Sequence, residues 1–423
     1  KTHQGKYNVG KDSFTNNQNT LATIYVVRDP RTLVSSISNH FTLTLNEASN
    51  FLLTPQIVGN SKRWVIDNAS ADNSVEMMRK KFPSTRVISN VDNLGFGKAN
   101  NKAAKLAKGR YVCILNPDTI VFQKTFEEFI QFHEANPTIG ISGPQMIDGT
   151  GQFLLESKRG LPTIKAAVFK SLGLFRLSAR FFGQYYNLSL PQNQNGKTDV
   201  LAGAFMFMRK RLYDQLEGFD ENFFMYGEDI DISHRSLKLG YTNFYFSQSK
   251  VIHFKGESTP KNKAYEKRFF NAMSYYYNKN FSHNWLLNSI FITGSYLFSK
   301  FKRVVSSRRD KTSPILVNDW TLVSKNPKLF KNVKMNMFPG IKHCQNLLEV
   351  LQLKPKRLMG IVFDMRTTQW SEVINFMQVH QTGYVYKFIS VDNKRIIGSS
   401  DVLSRGSGAV IPNTKKKSKT SIV

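Results

Sequence analysis

The chain has 423 residues, with 59 Lys and Arg against 30 Asp and Glu for a formal charge of +29, and 41% of its residues are hydrophobic. That length and apolar content exclude global disorder and predict two or three folded domains. Two cysteines, Cys113 and Cys344, exclude a disulfide framework and a cysteine-only zinc site and fit a reducing compartment, with the cytoplasm as the expected one.

Residues 1–20 are polar, and Leu21 to Arg28 (LATIYVVR) predicts a buried strand followed by helical patterning through Val34, Ile37 and Phe41 and again through Leu45 to Leu53. From Arg63 the pattern alternates: strand (WVID), helix (SVEMMRKKF), strand (TRVIS), helix (KANNKAAKLAKG), strand (YVCILN), with Gly, Asn and Asp at the joints. Such alternation predicts an α/β fold with a parallel, doubly wound sheet. Further on, Asp199 to Met208 predicts an apolar strand, Glu228 to Leu239 a helix closed by Gly240, and Tyr241 to Phe254 a strand. A last block predicts βαβ: Leu358 to Asp364, Trp370 to His380 and Tyr384 to Ile389.

The resulting division is 1–60, 61–283, a segment at 284–312, a small α/β extension at 313–402 and a basic tail at 403–423. Leu286, Leu287, Ile290, Phe291, Tyr296 and Leu297 lie in a stretch too short and too polar to span a bilayer, so an interfacial amphipathic helix is expected there, with a helix packed on the core as the alternative. Charge is concentrated late: from Lys250 onward 30 basic residues face 9 acidic ones, +21 of the +29. An anionic membrane surface is the expected partner. Nucleic acid is disfavoured, because no stacking platform, zinc finger or basic heptad accompanies the charge. The chain starts at Lys1 with no charged head and apolar core before a cleavage site, so no secretory signal is expected.

In open α/β sheets ligands bind at the carboxyl ends of the strands. Three such ends stand out: Asp67-Asn68, then Asn90 with Asn93 and Gly95, then Asn116-Pro117-Asp118. Asp67 suits a ribose hydroxyl or a base N–H, and Gly95 and Gly97 would let backbone approach an anion at a helix N-terminus. Asp118 is a hard oxygen ligand for Mg²⁺ or Mn²⁺ bridging to a diphosphate, and is expected at an exposed strand end. Both aspartates would equally serve as caps of following helices.

A second cluster runs Phe223-Phe224-Met225-Tyr226-Gly227-Glu228-Asp229-Ile230-Asp231, then Arg235. Three acids at a helix start suit the dipole, and Asp231 with Arg235 makes an i,i+4 pair. Asp229, beside Glu228 on an aromatic-flanked turn, is a candidate general base for an acceptor hydroxyl, with Glu228 and Arg235 as support. His253, at the end of VIHF, is either structural or a second ligand to the Asp118 metal.

The runs VIDNASADNSVEMMRKKFP, NVDNLGFGKANNKAAKLAKGRYVCILNPDT, DVLAGAFMFMRK, EGFDENFFMYGEDIDISHRSLKLGY and HFKGEST together resemble the family 2 inverting glycosyltransferases of GT-A fold, rhamnosyltransferase-like type, over about residues 64–300. The resemblance implies a GT-A fold with a mixed, mainly parallel sheet, a nucleotide-diphosphate sugar donor and a glycan or lipid-linked acceptor in cell-surface polysaccharide synthesis. It also implies Asp67 at the base, Asn116-Pro117-Asp118 as the DxD equivalent, Asp229 as catalytic base, His253 as metal ligand, and a peripheral place at the inner face of the membrane. Asn116 replaces the first DxD acid.

The family's first strand and helix are not recognisable before Trp64. Lys1-Thr2-His3 and IYVVRDPRTLVSSISNHF instead resemble the 3′-phosphate half of PAPS-dependent sulfotransferases, with Arg28 and Ser36 matching its phosphate ligands and the 5′ loop missing. This segment is expected either to dock as a surrogate first strand and helix covering the sheet edge or to remain a loose remnant. The small extension looks Rossmann-like without a phosphate fingerprint, so no cofactor is expected there. The alternatives to a glycosyltransferase are a sulfotransferase remnant and a non-enzymatic module for an anionic membrane or nucleic acid.

Overall fold

A computed structural model describes residues 8–9, 12–13, 21–27, 62–69, 74–81, 86–162 except 117 and 122–123, 184–254, 263–281, 317, 319–353, 358–389, 395–398 and 407–411. Arg28, Ser36, the helical patterning after Arg28 and the Trp285 to Phe301 stretch lie outside the described residues.

In chain order the first elements are the two-residue strands β1 (Asn8–Val9) and β2 (Asp12–Ser13), then β3 (Leu21–Val27), β4 (Lys62–Asn68), α1 (Ser74–Lys81), β5 (Arg86–Asn90), α2 (Phe96–Leu106), β6 (Tyr111–Leu115) and β7 (Thr119–Val121). There follow α3 (Thr125–Ala135), β8 (Ile139–Ile147), β9 (Gly196–Lys197), β10 (Phe205–Arg209), α4 (Lys210–Gln215), α5 (Glu228–Lys238), β11 (Thr242–His253) and α6 (Lys263–Asn280). The main sheet has the order β5-β4-β3-β6-β10-β8-β11-β7, with β9 beside β11. Strands β5, β4, β3 and β6 are mutually parallel, whereas β10 runs antiparallel to both its neighbours. The sheet is mixed, as the family resemblance implied; the alternating pattern alone implied a parallel sheet, from which antiparallel β10 and β7 depart.

Both faces of the sheet are covered, which explains why its central strands are apolar without alternation. Side chains on a strand point to opposite faces in turn. Val112 and Ile114 of β6 and Met206 and Met208 of β10 therefore pack with Ala99, Ala103 and Ala104 of α2. Tyr111, Cys113, Leu115, Phe205 and Phe207 pack on the other side with Phe126, Phe129 and Ile130 of α3. Alanines on the α2 face let that helix lie close to the sheet.

Strand β3 occupies the middle of the sheet. It pairs with β4 from Ala22↔Lys62 to Val27↔Asp67 and with β6 from Leu21↔Tyr111 to Tyr25↔Leu115. The segment resembling a sulfotransferase thus takes a surrogate strand position, and it sits between two strands where an edge position was expected. The predicted strand Asp199 to Met208 begins only at Phe205. Before it, Val200 makes a single bridge to Arg159, and Gly203 turns its N–H toward Asp229 instead of a ladder partner.

The extension contains β12 (Asp319–Val323), α7 (Pro327–Asn336), β13 (Lys342–Cys344), α8 (Leu347–Gln352), β14 (Met359–Asp364), α9 (Trp370–Val379), β15 (Tyr384–Ile389), β16 (Arg395–Gly398) and β17 (Ser407–Val410). Its order is β13-β12-β14-β15-β16-β17, parallel through β15 and antiparallel beyond. Residues 407–410, assigned to a tail by composition, complete this sheet by pairing with β16. The extension shares a core with the larger sheet: Val65, Ile147, Ile252 and Phe254 cluster with Val323, Phe363, Val373, Phe376, Met377 and Phe388. Lys250 of β11 donates to Asn375 Oδ1 at 3.1 Å and Gln378 Oε1 at 2.6 Å on α9. Among the described residues no helix is long and apolar enough to cross a membrane.

Candidate active site

The parallel strands deliver their carboxyl ends to one rim of the sheet. Asp67, 3% exposed, is the penultimate residue of β4 and accepts from Ser89 Oγ at 3.1 Å. Helix α1 begins only at Ser74, and β7 follows Asp118, so neither aspartate is a helix cap.

Asn68, singled out at the strand end but given no role by the sequence, organises the adjacent loop. Its Nδ2 donates to Asn93 Oδ1 at 3.0 Å and Gly95 O at 3.1 Å, while its Oδ1 accepts from Asn90 Nδ2 at 3.1 Å and Leu94 N at 3.0 Å. Gly95 has φ +82°, and a Cβ there would come within 2.4 Å of Phe224 O, so only glycine fits. Its N–H goes to Asn93 Oδ1 at 3.0 Å, and that of Phe96 goes to Phe224 O at 3.0 Å. The anion cradle expected at Gly95 is therefore engaged within the protein; Asn93 and Gly95 shape the loop and bring it against the second cluster.

Asn101 completes that junction. It accepts from Phe219 N at 2.8 Å and Tyr213 Oη at 2.7 Å and donates to Phe219 O at 2.8 Å. Two regions more than a hundred residues apart are thereby held as one wall.

Asp118 and His253 meet because β7 pairs antiparallel with β11, Thr119 opposite His253. Their side chains approach to 3.2 Å, Asp118 Oδ1 to His253 Nε2, and Phe254 N donates to Asp118 O at 3.0 Å. Asp118 is 5% and His253 8% exposed, which corrects the expectation of an exposed strand end. Two neighbouring ligands of one six-coordinate ion, each about 2.1 Å from it, stand about 3.0 Å apart, so the observed spacing fits a shared divalent cation. Among the described residues no third His, Cys, Asp or Glu completes a metal cluster. Asn116 lies beside the pair with its N–H on Ala204 O at 2.8 Å.

The loop 201–204 connects this corner to Asp229. Gly203 N donates to Asp229 Oδ2 at 3.2 Å, one residue from the carbonyl that holds Asn116. Asp229 Oδ2 also accepts from Arg159 Nη2 at 2.6 Å, and Oδ1 accepts from Ile230 N at 2.8 Å. Arg159 was absent from the sequence reading, because a Lys-Arg pair before Gly160 looks like ordinary solvated charge. Both side chains are instead buried. Burial disfavours the Arg159 cation, but Asp229, Tyr185 and Glu156 together outweigh this and hold the guanidinium above its ordinary value. Burial lowers neighbouring Lys158 to about 8, and its ammonium donates to Asn187 O at 2.8 Å.

Glu228 is buried at the start of α5 beside Asp229, in the place the sequence gives it. Asp231 and Arg235 have another task. Arg235 Nε donates to Asp231 Oδ2 at 2.7 Å and Nη2 to Gly218 O at 2.8 Å, with a further bond to Leu216 O, so Arg235 braces the 216–218 turn and does not face an acceptor. Lys279 of α6 bridges Asp231 Oδ1 and Asp220 Oδ2, both at 2.7 Å. Burial alone would raise the Asp220 carboxyl; hydrogen bonds led by Lys279 bring it down to about 2. Asp231 is fully buried, so Asp231→Ala leaves two cations short of a partner and should cost about 3 kcal/mol, read as a lower urea midpoint. An unchanged midpoint would show that the network contributes little.

Residues 56–217 match the model described as glycosyl transferase family 2, and residues 162–307 match that of glycosyl transferase family group 2. Residues 56–217 are those of a family 2 glycosyl transferase. The chain is 27% identical over 210 residues to the N-acetylglucosaminyl-diphospho-decaprenol L-rhamnosyltransferase of Mycobacterium tuberculosis, covering 47% of this chain and 68% of the relative. It is 26% identical over 170 residues to the rhamnosyltransferase WbbL of Escherichia coli, covering 38% and 61%. It is also similar to the low-salt glycan biosynthesis hexosyltransferase of Haloferax volcanii, 22% over 310 residues, covering 72% and 89%. Among solved structures, the mannosyltransferase of Pyrobaculum calidifontis in complex with GDP-Man and Mn²⁺ is 13% identical with a TM-score of 0.40, covering 69% and 76%. Strand β3 of the glycosyltransferase precedes the family match yet fills the centre of its sheet.

Proposed function

We propose that this enzyme transfers a sugar, with inversion, from a nucleotide-diphosphate sugar to a hydroxyl of a glycan or lipid-linked acceptor in cell-surface glycan synthesis. The observation that carries the reading is the joining of two carboxylate sites through one short loop: the Asp118–His253 pair, 3.2 Å apart, and Asp229, held by Gly203. A leaving group and a nucleophile need to be held on one line, and a rigid connection between the groups that serve them supplies the orientation.

In this reading Asp67 meets the nucleoside, and Asp118 and His253 would hold Mg²⁺ or Mn²⁺. Such an ion, when bound, neutralises charge on a diphosphate leaving group. The mixed oxygen and nitrogen donor set suits Mn²⁺ at least as well as Mg²⁺. Asp229 accepts the proton of the attacking hydroxyl, which is a poor nucleophile at neutral pH. The names of the Mycobacterium tuberculosis and Haloferax volcanii relatives support a polyprenyl-linked or glycan acceptor. The late excess of +21 supports peripheral attachment to the anionic inner face of a membrane, where such an acceptor is presented.

Asp118→Asn tests the metal corner. The amide keeps the size of the buried side chain but is a poor cation ligand, so nucleoside diphosphate binding in Mn²⁺ should weaken by ~10-fold or more, as EDTA should weaken it in the parent. Titration calorimetry reads both. Equal affinity in parent and variant, with and without EDTA, would remove Asp118 from the metal.

A further inference from the structure

The backbone of Arg159 is fixed from both sides. Its N–H donates to Val200 O at 2.9 Å, and its carbonyl accepts from Val200 N at 2.9 Å, Asp199 N at 3.1 Å and Thr198 Oγ1 at 3.0 Å. From this anchored position Nη2 donates to both Leu201 O at 3.1 Å and Asp229 Oδ2 at 2.6 Å. The Leu201 carbonyl thus aims the guanidinium, and the guanidinium aims the carboxylate.

An ionised carboxylate has about four acceptor directions. On Asp229 three are occupied: Arg159 and Gly203 take Oδ2, and Ile230 N takes one direction of Oδ1. The Asp229 side chain is 17% exposed, so the group is reachable. We infer that Arg159 is the positioning residue for the base: it locks Asp229 through Oδ2 and thereby makes Oδ1 the oxygen that accepts the proton of the acceptor hydroxyl. The acceptor oxygen forms a bond to the anomeric carbon as its O–H bond breaks and the proton moves to Asp229 Oδ1, while the bond from the anomeric carbon to the diphosphate oxygen breaks and its electron pair leaves on the nucleoside diphosphate. Arg159 exchanges no proton and contacts no donor atom in this scheme. The inference rests on the assignment of Asp229 as base.

Arg159→Gln and Arg159→Lys in the full chain test it, with nucleoside diphosphate release measured from a panel of nucleotide sugars and a lipid-extract acceptor. Misplacing the base should lower kcat by ~10²-fold in Arg159→Gln, with donor KM within about twofold, since the donor is held elsewhere. Arg159→Lys keeps the charge but loses the fork and should fall between, and added guanidinium should partly restore Arg159→Gln. Because Arg159 acts through Asp229, the double variant with Asp229→Asn should be no slower than Asp229→Asn alone; multiplied losses would overturn the inference. So would a raised donor KM, which would mean that the buried Arg159 Nε, without a partner among the described residues, reaches the donor. Two readouts need no turnover. Nucleoside diphosphate affinity should be unchanged in Arg159→Gln, and a crystal structure of that variant should show the Asp229 carboxylate rotated away from Gly203. A tenfold loss of affinity, or an unmoved carboxylate, would overturn the assignment. If Asp229→Asn is slow while Arg159→Gln keeps the parent kcat, only the role of Arg159 fails; if Asp229→Asn is as fast as the parent, the base itself is misassigned.

Discussion

Asp229→Asn should slow sugar transfer by ~10²–10⁴-fold while leaving nucleotide binding intact, the range typical of losing a general base. The amide retains the carboxylate's shape, and its oxygen can still accept from Gly203 N or Ile230 N, so the local fold survives. What it loses is the charge opposite Arg159 and the ability to take a proton. Asp231→Asn, four residues from Arg235 and fully buried, should change stability more than turnover, because its partners are Arg235 and Lys279 and no substrate-facing group. Nucleoside diphosphate release for the two variants, beside calorimetric binding, separates the roles. A parent that transfers sugar no faster than Asp229→Asn would remove Asp229 from catalysis.

Deleting residues 1–60 should abolish cooperative folding, or lower the melting temperature by on the order of 10 °C or more, equivalent to ~3 kcal/mol or more for a chain of this class. The reason is topological. Strand β3 pairs along six positions with β4 and five with β6, so its removal leaves β4 and β5 without a ladder to the remaining sheet. Asp67, carried by β4, would then lose its fixed relation to Asp118, which follows β6. A point substitution checks the same claim: Ile24→Pro removes a ladder hydrogen bond in a central strand and should cost ~3 kcal/mol. Circular dichroism melts read both variants. A deletion that remains soluble and melts with the parent would show that β3 contributes nothing to the sheet.

Much of the catalytic domain was legible in the sequence because its signals are local. WVID, TRVIS and YVCIL are short apolar runs bounded by turn residues, and each forms a strand; SVEMMRKK and EDIDISHRSLK form helices where their patterns require. Strand-end aspartates and the Glu228-Asp229 turn were likewise visible, since residue type and position relative to an element are properties of the chain itself. Tertiary structure decided which of these residues meet. Asp118 and His253 are 135 positions apart and touch only through the β7–β11 register, and Arg159 reaches Asp229 only because Val200 holds its backbone. The central place of β3 and the core shared with the extension were equally beyond reach, because strand order and domain packing depend on apolar faces that local periodicity marks without naming their partners.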